Sequence, residues 1–193
     1  MPIERHPLQP FLPPNGKVLF LGSFPPPQQR WCMDFFYPNY INDHWRIEGA
    51  VFFGDRNHFV DEAHKCFKKE EIVKFLNTYG IGFFDTAIAV RRLKENASDQ
   101  FLEVVESTDI QVLLRAMPLC RAIATTGEKA TQTLCQYFGI EEIPAVGNSI
   151  TIPETDSLRL YRLPSSSRAY PLSFDKKVAA YRMFFQEVGI LGC

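Results

Sequence analysis

Six aromatic rings crowd one short stretch of the chain: Trp31, Phe35, Phe36, Tyr37, Tyr40 and Trp45. Flat rings suit stacking on a planar ligand better than gripping an anion. The segment that leads into them, Val18-Leu19-Phe20-Leu21, is an apolar run long enough for a buried strand and too short for a helix. Gly22 ends it, and Pro25, Pro26 and Pro27 forbid both a continuing ladder and an immediate helix. Three successive prolines supply no backbone N–H groups, which excludes a phosphate cradle of the P-loop kind. A buried strand emptying into a stiff loop matches the usual place of ligands in open α/β sheets, beyond the carboxyl ends of strands. A second chemical signal lies near the other end. Between Arg159 and Arg182 six basic residues face a single acid, Asp175. Such a local excess fits phosphate contacts, and equally a solvated helix balanced by acids elsewhere.

These groups need elements to hold them. Residues 1–16 read as an extended arm packed on the surface. Trp45 to about Phe53 reads as a short helix or a turn, and Asp61 to Tyr79 as an amphipathic helix closed by Gly80. Ile81 to Asp85 forms a second strand with Asp85 at its carboxyl end. Val90 to Ser98 reads as a polar loop on the same rim, with Ser98 or Ser107 capping the helices that follow, one of them within Asp109 to Met117. Arg121 to Thr125 is a third strand and Glu128 to Phe138 a helix closed by Gly139. A short extended piece near Ile143–Val146 precedes a fourth strand, Ser157 to Leu163. A last helix runs from about Phe174 to Val188. Strands alternating with helices imply a mostly parallel sheet covered on both faces.

Composition narrows the class. At 193 residues, 46% hydrophobic and 22% charged, the chain reads as an ordinary soluble globular domain, 1–193, able to bury a core without staples. No apolar run approaches the ~20 residues of a membrane span, and the proline-rich start lacks the apolar centre of a secretory signal. Five cysteines with no CxxC pair read as reduced thiols of a cytoplasmic protein. No Cys/His cluster has metal-ligand spacing, so the site reads as metal-free. A net charge of −1 does not by itself announce a nucleic-acid binder.

Four segments, in order, resemble the uracil-DNA glycosylase superfamily, most closely its mismatch-specific uracil and thymine branch. Leu21-Gly22-Ser23-Phe24-Pro25-Pro26 stands where that branch has Gly-Ile-Asn-Pro-Gly. Phe36-Tyr37-Pro38 with Asn42-Asp43-His44-Trp45 is similar to Tyr-Pro…Asn-x-Phe-Trp. Tyr79-Gly80-Ile81-Gly82-Phe83 matches Tyr-Gly-Ile-Gly-Phe, and Leu163 to Ala169 resembles Met-Pro-Ser-Ser-Ser-Ala-Arg-Cys, one residue shorter. The resemblance spans residues 17 to about 185. It implies a three-layer α/β/α sandwich around a central, mostly parallel four-stranded sheet. It also implies a monomeric enzyme of base excision repair, without metal or redox cofactor, acting on double-stranded DNA that carries a damaged or mismatched base.

Carried onto this chain, the resemblance makes Gly22, Phe24, Tyr37, Asn42 and Asp85 the base-binding set. Tyr37 would stack on the flipped base or merely pack the loop. Asn42 would contact the base or close an Asx-turn. Pro164, Ser165, Ser166 and Ser167 resemble a loop that pinches the DNA backbone, with Arg168 or Tyr170 as the wedge filling the emptied stack. Two departures matter. The position that positions or activates water in the family is Phe24, and the one that in some members stabilises the leaving base is Leu163; neither does acid–base work. Pro26 also removes a possible amide donor. Asp85 is the best substitute, reading a donor-bearing base edge or serving as acid/base, unless it only caps a turn before Thr86. Ser23 and Asp34 are weaker stand-ins from the same loop. The resemblance thus leaves two functions: a DNA glycosylase, or a glycosylase fold kept for binding DNA or a nucleobase without hydrolysis.

Overall fold

The computed structural model describes residues 2–93, 101–155 and 157–192. Strand β1 (Ile3–Arg5) lies in the N-terminal arm and β2 is Val18–Gly22. Helix α1 (His44–Phe53) follows the aromatic loop, then a two-stranded hairpin, β3 (Val60–Asp61) and β4 (Cys66–Phe67), and helix α2 (Lys69–Tyr79). Next come β5 (Ile81–Asp85), β6 (Ala87–Arg92), β7 (Leu102–Ser107), α3 (Ile110–Ala116) and β8 (Ala122–Thr125). The chain closes with α4 (Glu128–Tyr137), β9 (Ser149–Thr151), β10 (Arg159–Arg162) and α5 (Phe174–Glu187).

The central sheet has the order β5-β2-β8-β10-β9. Its first four strands are parallel, and β9 adds an antiparallel fifth at the edge, one more than the sequence suggested. Val18 to Leu21 are almost wholly buried because helices cover both faces. Phe20 and Phe83 turn to one face, where Phe20 meets the rings of Tyr181, Phe184 and Phe185 on α5 and His44 on α1. On the opposite face Thr125 Oγ1 shares a 2.8 Å hydrogen bond with Thr131 Oγ1 of α4, and the Met117 side chain at the end of α3 covers Gly82. The result is a three-layer α/β/α sandwich with a mostly parallel centre. Among the described residues no helix is long and apolar enough to cross a membrane.

Because the connection after β2 runs over one face and α4 after β8 over the other, β2 and β8 are neighbours at a switch point. A crevice opens there between the two departing segments. Register brings the strand ends level, pairing Gly22 with Asp85 and Arg162 with Thr125.

The sequence reading needs correction in three places. Residues 61–68 are the hairpin and its turn rather than the start of α2: Asp61 Oδ1 accepts from His64 N–H at 3.2 Å and Lys65 takes φ +49°, which ends helical geometry. Val90 to Arg92 belong to β6, not to a loop; the rest of that stretch, with the Ser98 cap, lies outside the described residues. The cap of α3 is Asp109, whose carboxylate accepts from the N–H groups of Gln111 and Val112, and not Ser107. Strands β6 and β7 join β1 in a second, antiparallel sheet of order β1-β6-β7. The arm is accordingly a built element. Ile3–Arg5 pair with Ala89–Arg91, and Phe11 exchanges backbone hydrogen bonds with Phe83 at 2.8 and 2.9 Å, covering the open edge of β5.

Candidate functional site

At the carboxyl ends of the parallel strands lies a cleft of about 1230 Å³. Three loops build it: the one after β2, the turn into α4, and the one after β10. Of the residues picked from the sequence, Gly22, Ser23, Phe24, Tyr37, Asn42, Asp85, Ser165, Ser166, Ser167, Arg168 and Tyr170 line it together. Two do not. Asp34 is exposed and outside the cleft, because Met33, Phe35 and Phe36 on either side point into the core and turn it outward. Pro164 sits behind the wall, where its carbonyl accepts from the Tyr181 hydroxyl at 3.2 Å.

The aromatic loop divides its labour. Trp45, Phe35 and Phe36 are core residues, and Trp31 donates its indole N–H to the Pro26 carbonyl at 2.7 Å, bracing the proline run. Only Phe36 and Tyr37 of the six reach the cleft. Tyr37 is held by three constraints. Its ring stacks on His44 at 3.7 Å and 5°, its hydroxyl bonds Thr126 Oγ1 at 2.7 Å, and its backbone takes φ +48°. That backbone region is costly for a bulky residue and persists where the surroundings over-determine it. Beneath the ring, His44 and Glu48 are fully buried, with Nε2 and Oε1 3.5 Å apart. Burial pushes the imidazole down to about 3 and holds the Glu48 carboxyl well above the usual carboxylate range, so the charged form of each is disfavoured.

Asn42 closes an Asx-turn, its Oδ1 accepting from the His44 N–H at 2.9 Å, while its residue still faces the cleft. Asp43 ties two loops together. Its N–H donates to the Ser166 carbonyl at 3.1 Å, and its Oδ1 accepts from Arg168 Nε at 2.9 Å. Arg168 is therefore tethered to Asp43 on the cleft rim. In the serine loop, Ser165 Oγ accepts from the Ser167 N–H and Ser167 Oγ from the Ala169 N–H, at 3.2 and 3.3 Å. Each hydroxyl keeps its own proton to donate outward. Behind the loop the buried Lys177 donates to the Ser167 carbonyl at 2.6 Å. Burial lowers its pKa, the nearby Asp43 opposes that, and Arg168 adds to it.

Asp85 ends β5 with its side chain 11% exposed. Gly22 opposite has no side chain to interfere: a Cβ there would lie 2.3 Å from Asp85 Oδ1. The other carboxylate oxygen, Oδ2, is 2.8 Å from Nε2 of His6, a residue that the sequence reading did not single out. Nothing in MPIERHPLQP has the periodicity or spacing of a site, and it is the backbone pairing of the arm, β1 on β6 and Phe11 on Phe83, that brings the histidine to the strand end. Phe24 lines the cleft but packs with Ala87, Val90 and Leu102 of the second sheet, and the Arg92 guanidinium lies 5.7 Å from its ring centre. Leu163 is buried, with its N–H on the Thr125 carbonyl at 2.8 Å. With Arg168 paired to Asp43, Arg30, Lys129 and Arg162 stand around the cleft against Asp85 and the exposed Glu128, a small cationic excess that favours an anionic ligand.

No family model and no curated protein matches this chain. Among solved structures it is similar to the solution NMR structure of a "putative uracil DNA glycosylase" from Methanosarcina acetivorans. The two are 24% identical, with a TM-score of 0.62 over 97% of this chain and 99% of that one. The likeness is one of fold.

Proposed function

We propose that this chain is a monofunctional DNA N-glycosylase that hydrolyses the bond between sugar and base at a damaged or mismatched nucleotide drawn out of a duplex. One observation carries the reading: a stacking ring, a buried carboxylate and a donor-rich serine loop border the same cleft. In this reading the flipped base lies against Tyr37, and the hydroxyls of Ser165 and Ser167 donate to backbone phosphate oxygens. Arg168 and Tyr170 stand nearest the duplex. Asp85 receives a proton from the attacking water as its oxygen bonds the anomeric carbon; the C–N bond breaks and its electron pair leaves with the base. Asn42 supplies an amide toward the base, and Ser23 lines the same wall. The neighbour of known structure supports this reading through the name it carries.

The apolar Phe24 and Leu163 favour a second reading, in which the same cleft binds duplex DNA or a nucleobase without hydrolysis. The two separate in one experiment. Duplexes bearing a single uracil, a thymine opposite guanine, or hypoxanthine are incubated with the protein, and released base is measured beside duplex affinity at rising salt. The glycosylase reading expects release from at least one duplex. Binding that weakens with salt and no release from any of them would leave the binding reading standing.

A further inference from the structure

We propose that His6 is a positioning residue of this site: its imidazole fixes the Asp85 carboxylate as a hydrogen-bond acceptor, and the N-terminal arm is thereby part of the working cleft. The inference rests on the glycosylase reading for its effect on rate, and on geometry alone for the contact.

The contact joins residues 79 apart in sequence, at 2.8 Å, with the His6 side chain only 2% exposed. Backbone pairing fixes the arm on both sides of it, through Ile3–Arg5 on β6 and Phe11 on Phe83. The ring itself is held by aromatic neighbours, with Phe84 at 4.6 Å, Phe24 at 5.3 Å and Phe36 at 6.4 Å between centroids. Phe24, where the resemblance offered no chemistry, is one wall of this imidazole's socket.

The far nitrogen shows why the contact is dependable. Nδ1 lies 3.1 Å from the Leu8 N–H donor and 3.0 Å from the Leu8 carbonyl oxygen. In the neutral ring with its proton on Nε2, Nδ1 accepts from Leu8 N–H. In the imidazolium, Nδ1–H donates to the Leu8 carbonyl. In both forms Nε2–H donates to Asp85 Oδ2, and the acceptor oxygen there disfavours the remaining tautomer, with its proton on Nδ1. The donor presented to the carboxylate therefore does not depend on whether the ring has taken up a second proton. With Oδ2 engaged, Oδ1 packed against Gly22 is the oxygen left for a substrate or a water.

Two variants separate donation from packing. His6→Phe fills the aromatic socket without a donor, and His6→Gln places an amide N–H at a similar reach. Single-turnover base release should fall roughly tenfold to a hundredfold in His6→Phe, as for the loss of one hydrogen bond to a charged group. Duplex affinity should stay unchanged, since the serine loop is untouched, and His6→Gln should recover most of the rate. A His6→Phe rate equal to wild type, in a protein that does release base, overturns the proposal and leaves the function standing. Long-range imidazole ¹⁵N–¹H spectra test the contact without any turnover: a slowly exchanging Nε2–H should be present in wild type and lost in Asp85→Ala. Its absence from wild type also overturns the proposal. Its presence in a protein that releases no base would place the failure in the functional reading.

Discussion

An ionised carboxylate accepts hydrogen bonds and gives none, so Asp85 with Oδ2 committed to His6 offers its partner one acceptor and no donor. A side-chain amide there donates as well as accepts and cannot take up a proton from water. Asp85→Asn should therefore lower base release by about a hundredfold or more, the range of a lost general base, with little change in melting temperature. Tyr37 allows a finer test, because its ring and its hydroxyl do different work. Tyr37→Phe keeps the face stacked on His44 and removes the hydroxyl that makes the 2.7 Å bond to Thr126. It should retain base release within about threefold, whereas Tyr37→Ala should weaken binding of the flipped base by about tenfold, the worth of one aromatic stack on a base. Both residues were legible in the sequence, one as an aromatic in a proline-braced loop and one as the last residue of an apolar run. His6 was not, for it carries no local pattern; its place is set by strand pairing across almost the whole first half of the chain.

Elements, rather than single residues, set the shape of the serine loop. The loop after β10 is held from below by Lys177 of α5 and from the side by Asp43 just before α1. Lys177→Met keeps the buried stem and removes the charged donor to the Ser167 carbonyl. It should loosen the loop and weaken duplex binding about tenfold, as expected for losing one hydrogen bond from a charged group, with base release from bound duplex less affected. Helix α1 makes a different prediction, through stability. Burial raises the Glu48 carboxyl well above its usual 4.5 in the fold, whereas the unfolded chain ionises it there, so above that pH the unfolded state binds fewer protons and stability falls as pH rises. His44 has the opposite sign: held down to about 3 against its usual 6.5, it costs stability as pH falls through that window. Glu48→Gln should thus gain in melting temperature over wild type as pH rises above the carboxyl's usual 4.5, read in thermal scans. The four parallel strands, α4 and α5 were readable from apolar runs and spacing, whereas the stretch that forms α1 read equally as a turn and the edge strand β9 was not read. Strands β6 and β7 were not readable either, since strands that carry the half-buried Arg91 and the exposed Glu103 and Glu106 read locally as polar.

At the scale of the molecule, the order β5-β2-β8-β10 decides where a ligand can go. Reversal of crossover direction at β2 opens the crevice, and level strand ends bring Gly22, Asp85 and Arg162 to its floor and rim. That is why segments far apart in sequence, chosen from the resemblance of short motifs, meet in one cleft. The cationic rim makes a prediction of its own. Although the chain carries a net charge of −1, duplex affinity should fall steeply between 50 and 200 mM salt, by about 0.9 in log K per unit of log salt for each phosphate contacted. A salt-independent affinity would point to a nucleobase pocket with no role for the duplex. The central claim, that this cleft hydrolyses a bond and does not merely hold a base, is tested most directly by single-turnover base release from lesion-bearing duplexes, wild type beside Asp85→Asn at matched, saturating protein. Release by wild type from at least one duplex, reduced by about a hundredfold in Asp85→Asn while both proteins bind that duplex equally, is the expected result. Equal release by the two proteins, or none by wild type from any duplex it binds, would contradict it.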